Sequence, residues 1–172
     1  DLPTQKEMLA MYRCGAISNE VYETFDQQIQ EWTENVRRKK LVTKLGSVAE
    51  VAASKIIEAY DTQTALYAPS VVELKRVELS ERMKAAVHDV FRSQLLLIRE
   101  NAVQAFKKLL SQVVKRDTVL LDFEATVDRM KNEILSFFDV KAQEAIYPGE
   151  NWDSSQYREQ LMGEIDRHIE DE

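Results

Sequence analysis

The side chains that could do chemistry in this sequence are few and widely spaced. Its 172 residues contain two histidines, His88 and His168, and one cysteine, Cys14. Alanine and isoleucine stand three residues before the two histidines, so neither completes the Glu-x-x-His pair of a di-iron helical bundle. Phosphate-binding glycine loops, dinucleotide fingerprints, nucleophile elbows and the HExxH and CxxC motifs are also missing from the sequence. We therefore predict no catalytic site, bound cofactor or metal within these residues.

The same three residues have simpler structural interpretations. We predict that Cys14 is a small buried apolar side chain in a reducing compartment such as the cytosol, since one cysteine cannot form an internal disulfide. Both histidines are predicted to be structural or solvated. The longest aliphatic run, Leu95 to Ile98, is far shorter than the roughly 20 residues that a membrane helix needs, so we predict no membrane crossing.

Charge patterning narrows the choice of partners. The formal net charge is −7, and residues 150–172 contain eight acidic residues against two basic ones. The rest of the chain is almost neutral and offers no positive field to a phosphate backbone, so nucleic-acid binding is not expected. The one basic run, Arg37–Arg38–Lys39–Lys40, spreads over more than one helical turn and is predicted to be a solvated patch. Contact with anionic lipid head groups, or with the acidic segment 150–172, is the alternative.

Helices must position all of these residues, because the sequence has only four glycines and three prolines and its apolar residues recur every three or four positions. A capping box of Thr4 and Glu7 predicts a first helix that stops at Gly15. Ser18 is then predicted to cap a second helix. Its apolar stripe consists of Val21, Phe25, Ile29, Trp32 and Val36.

Glycine and proline mark the next boundaries. Ser47, after Gly46, is predicted to cap a helix over about 47–67, with a kink at Gly46 as the alternative. Pro69 interrupts this helix, and Ser70 with Glu73 predicts a new start.

From about residue 70 to 114 the apolar stripe continues without glycine or proline. Its members are Leu74, Val77, Met83, Val87, Val90, Phe91, Leu95, Ile98, Ala102, Phe106, Leu109 and Val113. A helix of about 45 residues would be close to 70 Å long, whereas a globule of this size has a radius of gyration near 16 Å. We therefore predict an all-α, elongated bundle of about five helices. A turn at 115–118 would lead into a further helix over about 118–146.

The segment around Trp152 is typical of a helix start. Pro148 and Gly149 break the preceding helix, Asp153 can cap the next one with Gln156 completing the box, and Trp152 can pack on Tyr157 as a hydrophobic staple. This motif needs no ligand.

Three strings of the sequence resemble one known family. They are Asp1-Leu2-Pro3-Thr4-Gln5-Lys6-Glu7-Met8-Leu9-Ala10 with Arg13-Cys14; Tyr60-Asp61 through Tyr67 to Lys75-Arg76-Val77-Glu78-Leu79 with Phe106-Lys107; and Asn151-Trp152-Asp153-Ser154-Ser155 with Arg158, Leu161, Ile165-Asp166 and His168. They resemble the region that follows the GTPase domain in the root-hair-defective proteins of plants and their fungal and protist relatives. These are atlastin-like GTPases of the dynamin superfamily that tether and fuse membranes of the endoplasmic reticulum.

The resemblance implies that residues 1–172 form part of one cytosolic stalk, a helical bundle at the cytosolic face of the endoplasmic reticulum. Residues 1–15 would be a linker helix after a GTPase domain that is absent here, and the chain would be a piece of a longer protein. GTP and Mg²⁺ would bind the parent protein, a homodimer, and the membrane would be reached only through absent C-terminal segments. No catalytic residue of the family falls on these positions.

The expected role is mechanical. GTP-driven dimerisation of the neighbouring GTPase domain would swing a rigid rod, and Gly15, Gly46, Pro69 and Gly149 are the candidate hinges. The alternative is a non-enzymatic helical scaffold or tether whose acidic end binds a basic protein partner.

Overall fold

The computed structural model describes residues 2, 4–115 and 122–171. These residues contain no β-strand, and most of them lie in helices. The prediction of an all-α fold with about five helices is confirmed. In chain order the helices are α1 (Gln5–Arg37), α2 (Leu45–Thr64), α3 (Pro69–Lys115), α4 (Phe123–Ala145) and α5 (Ser155–Glu170).

Helix α3 is the spine of the molecule. Its 47 residues correspond to a length of about 70 Å at 1.5 Å per residue, which confirms the predicted very long helix and the elongated shape. Helices α1 and α2 contact each other and α3, helices α4 and α5 contact each other and α3, and α2 also contacts α4. Within the described residues α1 contacts neither α4 nor α5. One helix is therefore shared by two three-helix groups.

Specific contacts locate the two groups along the spine. Asn19 of α1 accepts a hydrogen bond from Arg82, in the N-terminal half of α3. Arg99, in the C-terminal half, forms an ion pair with Glu164 of α5 at 3.7 Å. We call α1, α2 and the N-terminal half of α3 the lower group, and we call α4, α5 and the C-terminal half of α3 the upper group.

The buried face of α3 differs from the predicted stripe at its start. Most of the predicted positions are buried, and Val87 and Phe106 are fully so. Leu74 and Val77, however, are 48% and 50% exposed. Helices α1 and α2 cover a different side of this part of α3, on which Val71 and Leu79 are buried.

The predicted stop at Gly15 and the predicted helix cap at Ser18 are wrong, because both residues lie inside α1, a single helix of 33 residues. Cys14 before Gly15 and Val21 after it are both buried on the side of α1 that packs on the bundle. A lone glycine costs about 1 kcal/mol in a helix, which this packing readily outweighs. The capping interaction at the start of α1 is present, since the Glu7 amide donates to the Thr4 hydroxyl at 3.1 Å.

The starts of α2 and α3 also differ from the sequence prediction. Helix α2 begins at Leu45, two residues before the predicted cap Ser47, and its N-cap Lys44 has a left-handed backbone with φ of 52°. Helix α3 begins at Pro69, so Ser70 lies inside its first turn. Proline suits this position because its missing amide would have no helical partner there. The interruption between α2 and α3 is confirmed, although Pro69 opens the second helix.

The predicted turn at 115–118 falls mostly outside the described residues, which resume at Asp122. Helix α4 is described from Phe123 to Ala145, so the end predicted near residue 146 is confirmed.

Candidate functional site

The part of this fold that bears on a mechanical role is the region where the two groups meet. The segment 38–44 between α1 and α2, the first turn of α2, and the segment 146–154 between α4 and α5 all lie near the middle of α3. We call this region the joint. Its contacts decide whether the molecule bends at its centre.

A buried amide fixes the segment 38–44 to the spine. The side chain of Gln94, which is only 4% exposed, accepts a hydrogen bond from the Val42 amide at 2.9 Å. It also donates to the Val42 carbonyl at 2.8 Å. Both backbone groups of a buried loop residue are thus satisfied by one side chain. Gln94 was not among the residues predicted from the sequence, and the signal that could have identified it is a polar residue inside an apolar stripe.

Gly46 lies where α2 meets the end of α4. It is buried, and a Cβ atom at this position would stand 1.9 Å from the Ile146 carbonyl oxygen and 2.6 Å from its carbon. Only glycine permits so close an approach of the two backbones. The structure therefore gives Gly46 a packing role, and its predicted role as a hinge has no support from this geometry.

Gly149 occupies a tight turn between α4 and α5. The Glu150 amide donates to the Tyr147 carbonyl at 3.0 Å, and Gly149 has φ of 86°. Proline in second position and glycine with positive φ in third position are typical of a type II turn. The turn places Glu150 next to Lys84 of α3 at 3.0 Å, and this contact raises the pKa of Lys84.

Trp152 attaches the segment 146–154 to the spine through its ring. The ring centroid lies 4.9 Å from that of His88 and 5.0 Å from that of Phe91, both on α3, and 6.3 Å from that of Tyr147. Tyr157, the predicted staple partner, is not among these ring pairs, although it packs against the same core. Trp152 therefore joins two elements of the bundle.

The start of α5 matches the predicted cap in part. Ser154 is the N-cap residue, and the Asp153 carboxylate accepts hydrogen bonds from the Ser155 amide at 2.9 Å and the Ser155 hydroxyl at 2.8 Å. The backbone hydrogen bond lowers the pKa of Asp153. Gln156 is exposed, and among the described residues it has no hydrogen bond to the cap.

Ion pairs hold the upper group together beyond the joint. Lys131 of α4 pairs with Asp166 of α5 at 2.7 Å, and Arg158 of α5 pairs with Asp139 of α4 at 2.9 Å. Arg99 of the spine also donates to Gln160 of α5. Part of the acidic segment 150–172 is therefore neutralised within the chain.

The lower end of the molecule has a separate small cluster. Ala10 and Cys14 of α1 and Val71 of α3 are buried together, apart from the main core. Cys14 is fully buried, as predicted, and burial raises the pKa of its thiol. Tyr60 of α2 donates to the Val72 carbonyl at 2.8 Å beside this cluster, and burial raises the pKa of its phenol.

Two of the candidate hinges flank the lower cluster. Gly15 follows Cys14 within α1, and apart from its chain neighbours and the backbone of α1 no atom lies within 4 Å of the position that a Cβ would take there. Pro69 opens α3 two residues before Val71. Gly15 is therefore not held by a close contact of the kind found at Gly46.

The remaining candidates behave as solvated or structural groups. Arg37 and Arg38 pair with Glu34, and Lys39 pairs with Glu100 at 3.0 Å. Among the described residues, no ion pair joins the basic run to the acidic segment. His88 is half-buried between aromatic rings, and His168 is half-buried on α5. The described part of the chain contains no cluster of His, Cys, Asp or Glu able to hold a metal. None of its helices is long and apolar enough to span a bilayer.

Comparison with known proteins gives one family. Residues 43–172 match the family model described as the Sey1 three-helix bundle domain. The chain is 31% identical to protein SEY1 of Chaetomium globosum over 184 aligned residues, which cover all of this chain and 22% of the relative. Protein sey1 of Botryotinia fuckeliana is 31% identical over 91% of the chain, and that of Neurospora crassa is 29% identical over 88%.

These relatives are much longer than the chain. It covers 19% of both the Botryotinia and the Neurospora proteins and thus spans about a fifth of the length of the curated relatives it matches. No solved structure matches the chain. The family match covers α2 to α5 and all of the joint except residues 38–42. On the strength of that match, this helical chain belongs to the Sey1 family.

Proposed function

We propose that this chain is the stalk of a GTPase that tethers and fuses membranes of the endoplasmic reticulum. In this proposal GTP and Mg²⁺ bind a neighbouring domain of the same protein, two copies dimerise, and the stalk carries the resulting motion to the membrane. The chain itself performs no chemical step. Residues 1–15 would adjoin the GTPase domain, within α1.

The observation that carries the proposal is the continuity of α3 through both groups. A single helix about 70 Å long transmits a displacement along its axis because its backbone hydrogen bonds run unbroken through the joint. The Gln94–Val42 bonds and the Gly46–Ile146 contact oppose bending at its centre. The molecule is thus suited to move as one lever.

The same contacts favour the lower end as the place where movement is absorbed. Gly15 and Pro69 flank a small cluster that is separate from the main core. Fewer buried contacts mean a lower cost of local opening. We therefore retain these two residues as hinges and assign Gly46 and Gly149 to the fixed joint.

The test uses the full-length protein in proteoliposomes, with lipid mixing and GTP turnover measured side by side. Gly15→Ala stiffens α1 at the lower end because alanine favours the helix more than glycine does, and it introduces no steric clash. We expect lipid mixing to slow at least threefold while GTP turnover stays within twofold. Gly163→Ala, also free of contacts within 4 Å but in α5, is the matched control and should leave both rates unchanged.

Two results would contradict the proposal. An equal loss of both activities would mean that Gly15→Ala damages the GTPase itself, and an unchanged rate of lipid mixing would mean that the lower end absorbs no movement.

The scaffold alternative receives less support. It relies on a free acidic end, yet Glu150, Glu164 and Asp166 are in ion pairs with Lys84, Arg99 and Lys131. A basic partner would first have to displace these intramolecular cations.

A further inference from the structure

An apolar cleft opens on the outer side of the lower group, between α1 and α2, where neither the spine nor the upper group covers it. Its volume is about 420 Å³, within the range of about 300–1,000 Å³ that is usual for small-molecule sites. The rings of Phe25 and Trp32 lie in its wall on the α1 side and meet edge to face at 6.4 Å. Val42 and Ile56 also line it.

The α2 side of the cleft contains apolar side chains that the fold leaves in water. Val51 is 56% exposed and Val48 is 39% exposed, although both line the cleft. Covering such side chains with an apolar ligand is favourable by about 25 cal/mol per Å² of buried surface.

Lys55 is the only charged residue among those that line the cleft. It has no ion pair within the described residues, although the chain is acidic overall. The polar side chains of Thr24, Gln28 and Thr43 also line the cleft and can hydrogen-bond to an oxygen. Apolar walls with one cation are complementary to an amphiphile with one negative charge.

The length of the apolar stretch argues against a docked helix as occupant. The lining residues of α1 run from Thr24 to Trp32, about 12 Å along the helix axis. One turn before Thr24 is Glu20, and two turns after Lys55 is Thr62, and both are exposed polar residues. A fourth helix packed here would have only about two turns of apolar contact.

We propose that this cleft binds a single-chain carboxylate amphiphile as a monomer, such as a fatty acid. The acyl chain lies against the exposed side chains of Val48 and Val51, and the carboxylate pairs with Lys55. This assignment does not depend on the proposed stalk function, because it concerns only the outer side of the lower group.

The experiment is calorimetric titration of the chain with dodecanoate below its micellar concentration, compared with dodecyltrimethylammonium. We expect one dodecanoate site, and an affinity at least tenfold weaker for the cationic amphiphile. Val51→Asp and Lys55→Glu should each weaken dodecanoate binding at least fivefold. Both residues are exposed, so their substitution leaves the core intact.

Matched variants outside the cleft serve as controls. Val140 of α4 is 57% exposed, almost the same as Val51, and Lys107 of α3 is exposed. Val140→Asp and Lys107→Glu should keep dodecanoate affinity within twofold of the unmodified chain. Equal affinity for the two amphiphiles, or equal loss in all four variants, would overturn the proposal.

A second arm separates a monomeric ligand from a membrane surface. The chain is mixed with phosphatidylcholine vesicles containing phosphatidylserine and then sedimented. We expect the chain to stay in the supernatant. Sedimentation with the vesicles in a manner that Lys55→Glu abolishes, without binding of monomeric dodecanoate, would replace the proposal with a lipid-surface site.

Discussion

The side-chain amide of Gln94 satisfies both backbone polar groups of Val42, a residue 52 positions earlier in the chain. This pair joins the loop between α1 and α2 to the middle of the spine, at a point where both partners are buried. It is a bond between elements far apart in sequence, so it is present only when the lower group is fully folded.

Replacing Gln94 with leucine should lower the free energy of unfolding by about 2–4 kcal/mol. The substitution keeps the size of the side chain but leaves the Val42 amide and carbonyl buried without partners, at about 1–3 kcal/mol for each group. Urea denaturation followed by circular dichroism measures the change. Gln104→Leu, at an exposed position of the same helix, should shift stability by no more than about 0.5 kcal/mol. Similar losses in both variants would exclude a special role for the Gln94–Val42 bonds.

A methyl group at Gly46 should destabilise the chain by about 2–3 kcal/mol, since the clash falls on backbone atoms of Ile146 that cannot rotate away. The same denaturation experiment measures it. A neutral effect of Gly46→Ala would show that α2 and α4 can separate at the joint, and would restore the hinge interpretation for this residue.

Gly15→Ala and Gly163→Ala should stabilise the chain, in contrast to Gly46→Ala. Both glycines are in helices and have open space at the Cβ position, so alanine should stabilise each helix by about 0.5–1 kcal/mol. The measurement is the unfolding midpoint in urea. A loss of stability at Gly15 would mean that α1 is not a regular helix at this point.

These glycines mark the limit of what the sequence predicts. The stripe of apolar residues and the scarcity of glycine and proline were sufficient to predict the all-α fold and the length of α3. Local capping patterns were less reliable, because Ser47 and Ser70 both fit the capping box but α2 begins at Leu45 and α3 begins at Pro69. A Cβ atom would clash with another backbone segment at Gly46 but not at Gly15. Nothing in the local sequence distinguishes these two glycines.

Trp152→Ala should lower the free energy of unfolding by about 2–4 kcal/mol, because it removes an aromatic contact between α3 and the segment before α5. Near-ultraviolet circular dichroism and denaturation would measure the loss. Tyr157→Ala is the informative comparison. An equal or larger cost at Tyr157 would favour the local staple that the sequence predicts over packing on the spine.

The stability of the chain should fall as the pH rises above about 9. Burial raises the folded-state pKa values of Cys14 and Tyr60 above their ordinary values of 9.0 and 10.0. The stabilisation from each group is complete at a pH below its ordinary pKa. It is lost as the pH rises through the raised folded-state pKa, because the unfolded chain then releases the proton more readily than the folded chain. Tyr60→Phe should lower the free energy of unfolding by about 1 kcal/mol at pH 7, because it removes the hydrogen bond to the Val72 carbonyl.

The dependence of stability on pH in the alkaline range tests whether Tyr60 contributes to this loss. Above pH 10, the stability of Tyr60→Phe should decline less steeply than that of the unmodified chain, as measured by thermal unfolding at a series of pH values. An unchanged slope would mean that the phenol of Tyr60 is not protected from water at the lower end.

The candidate site was predictable only in its outline. The helix start at residues 151–157 was visible because capping is a local interaction, and Asp153 does bind the Ser155 amide. The joint as a whole was not visible, since it is made by residues that meet only after the chain has reversed direction, such as Gln94 with Val42 and Lys84 with Glu150.

A helix shared by two groups also constrains how the chain can change in length. One residue inserted into α3 near the joint would turn everything beyond it by about 100° and move it by about 1.5 Å. The direction in which α4 and α5 point, relative to α1 and α2, is therefore set by a count of residues. Insertions of seven or eleven residues nearly restore the original direction of the upper group around the axis of α3. Most other lengths would leave the upper group facing a different direction.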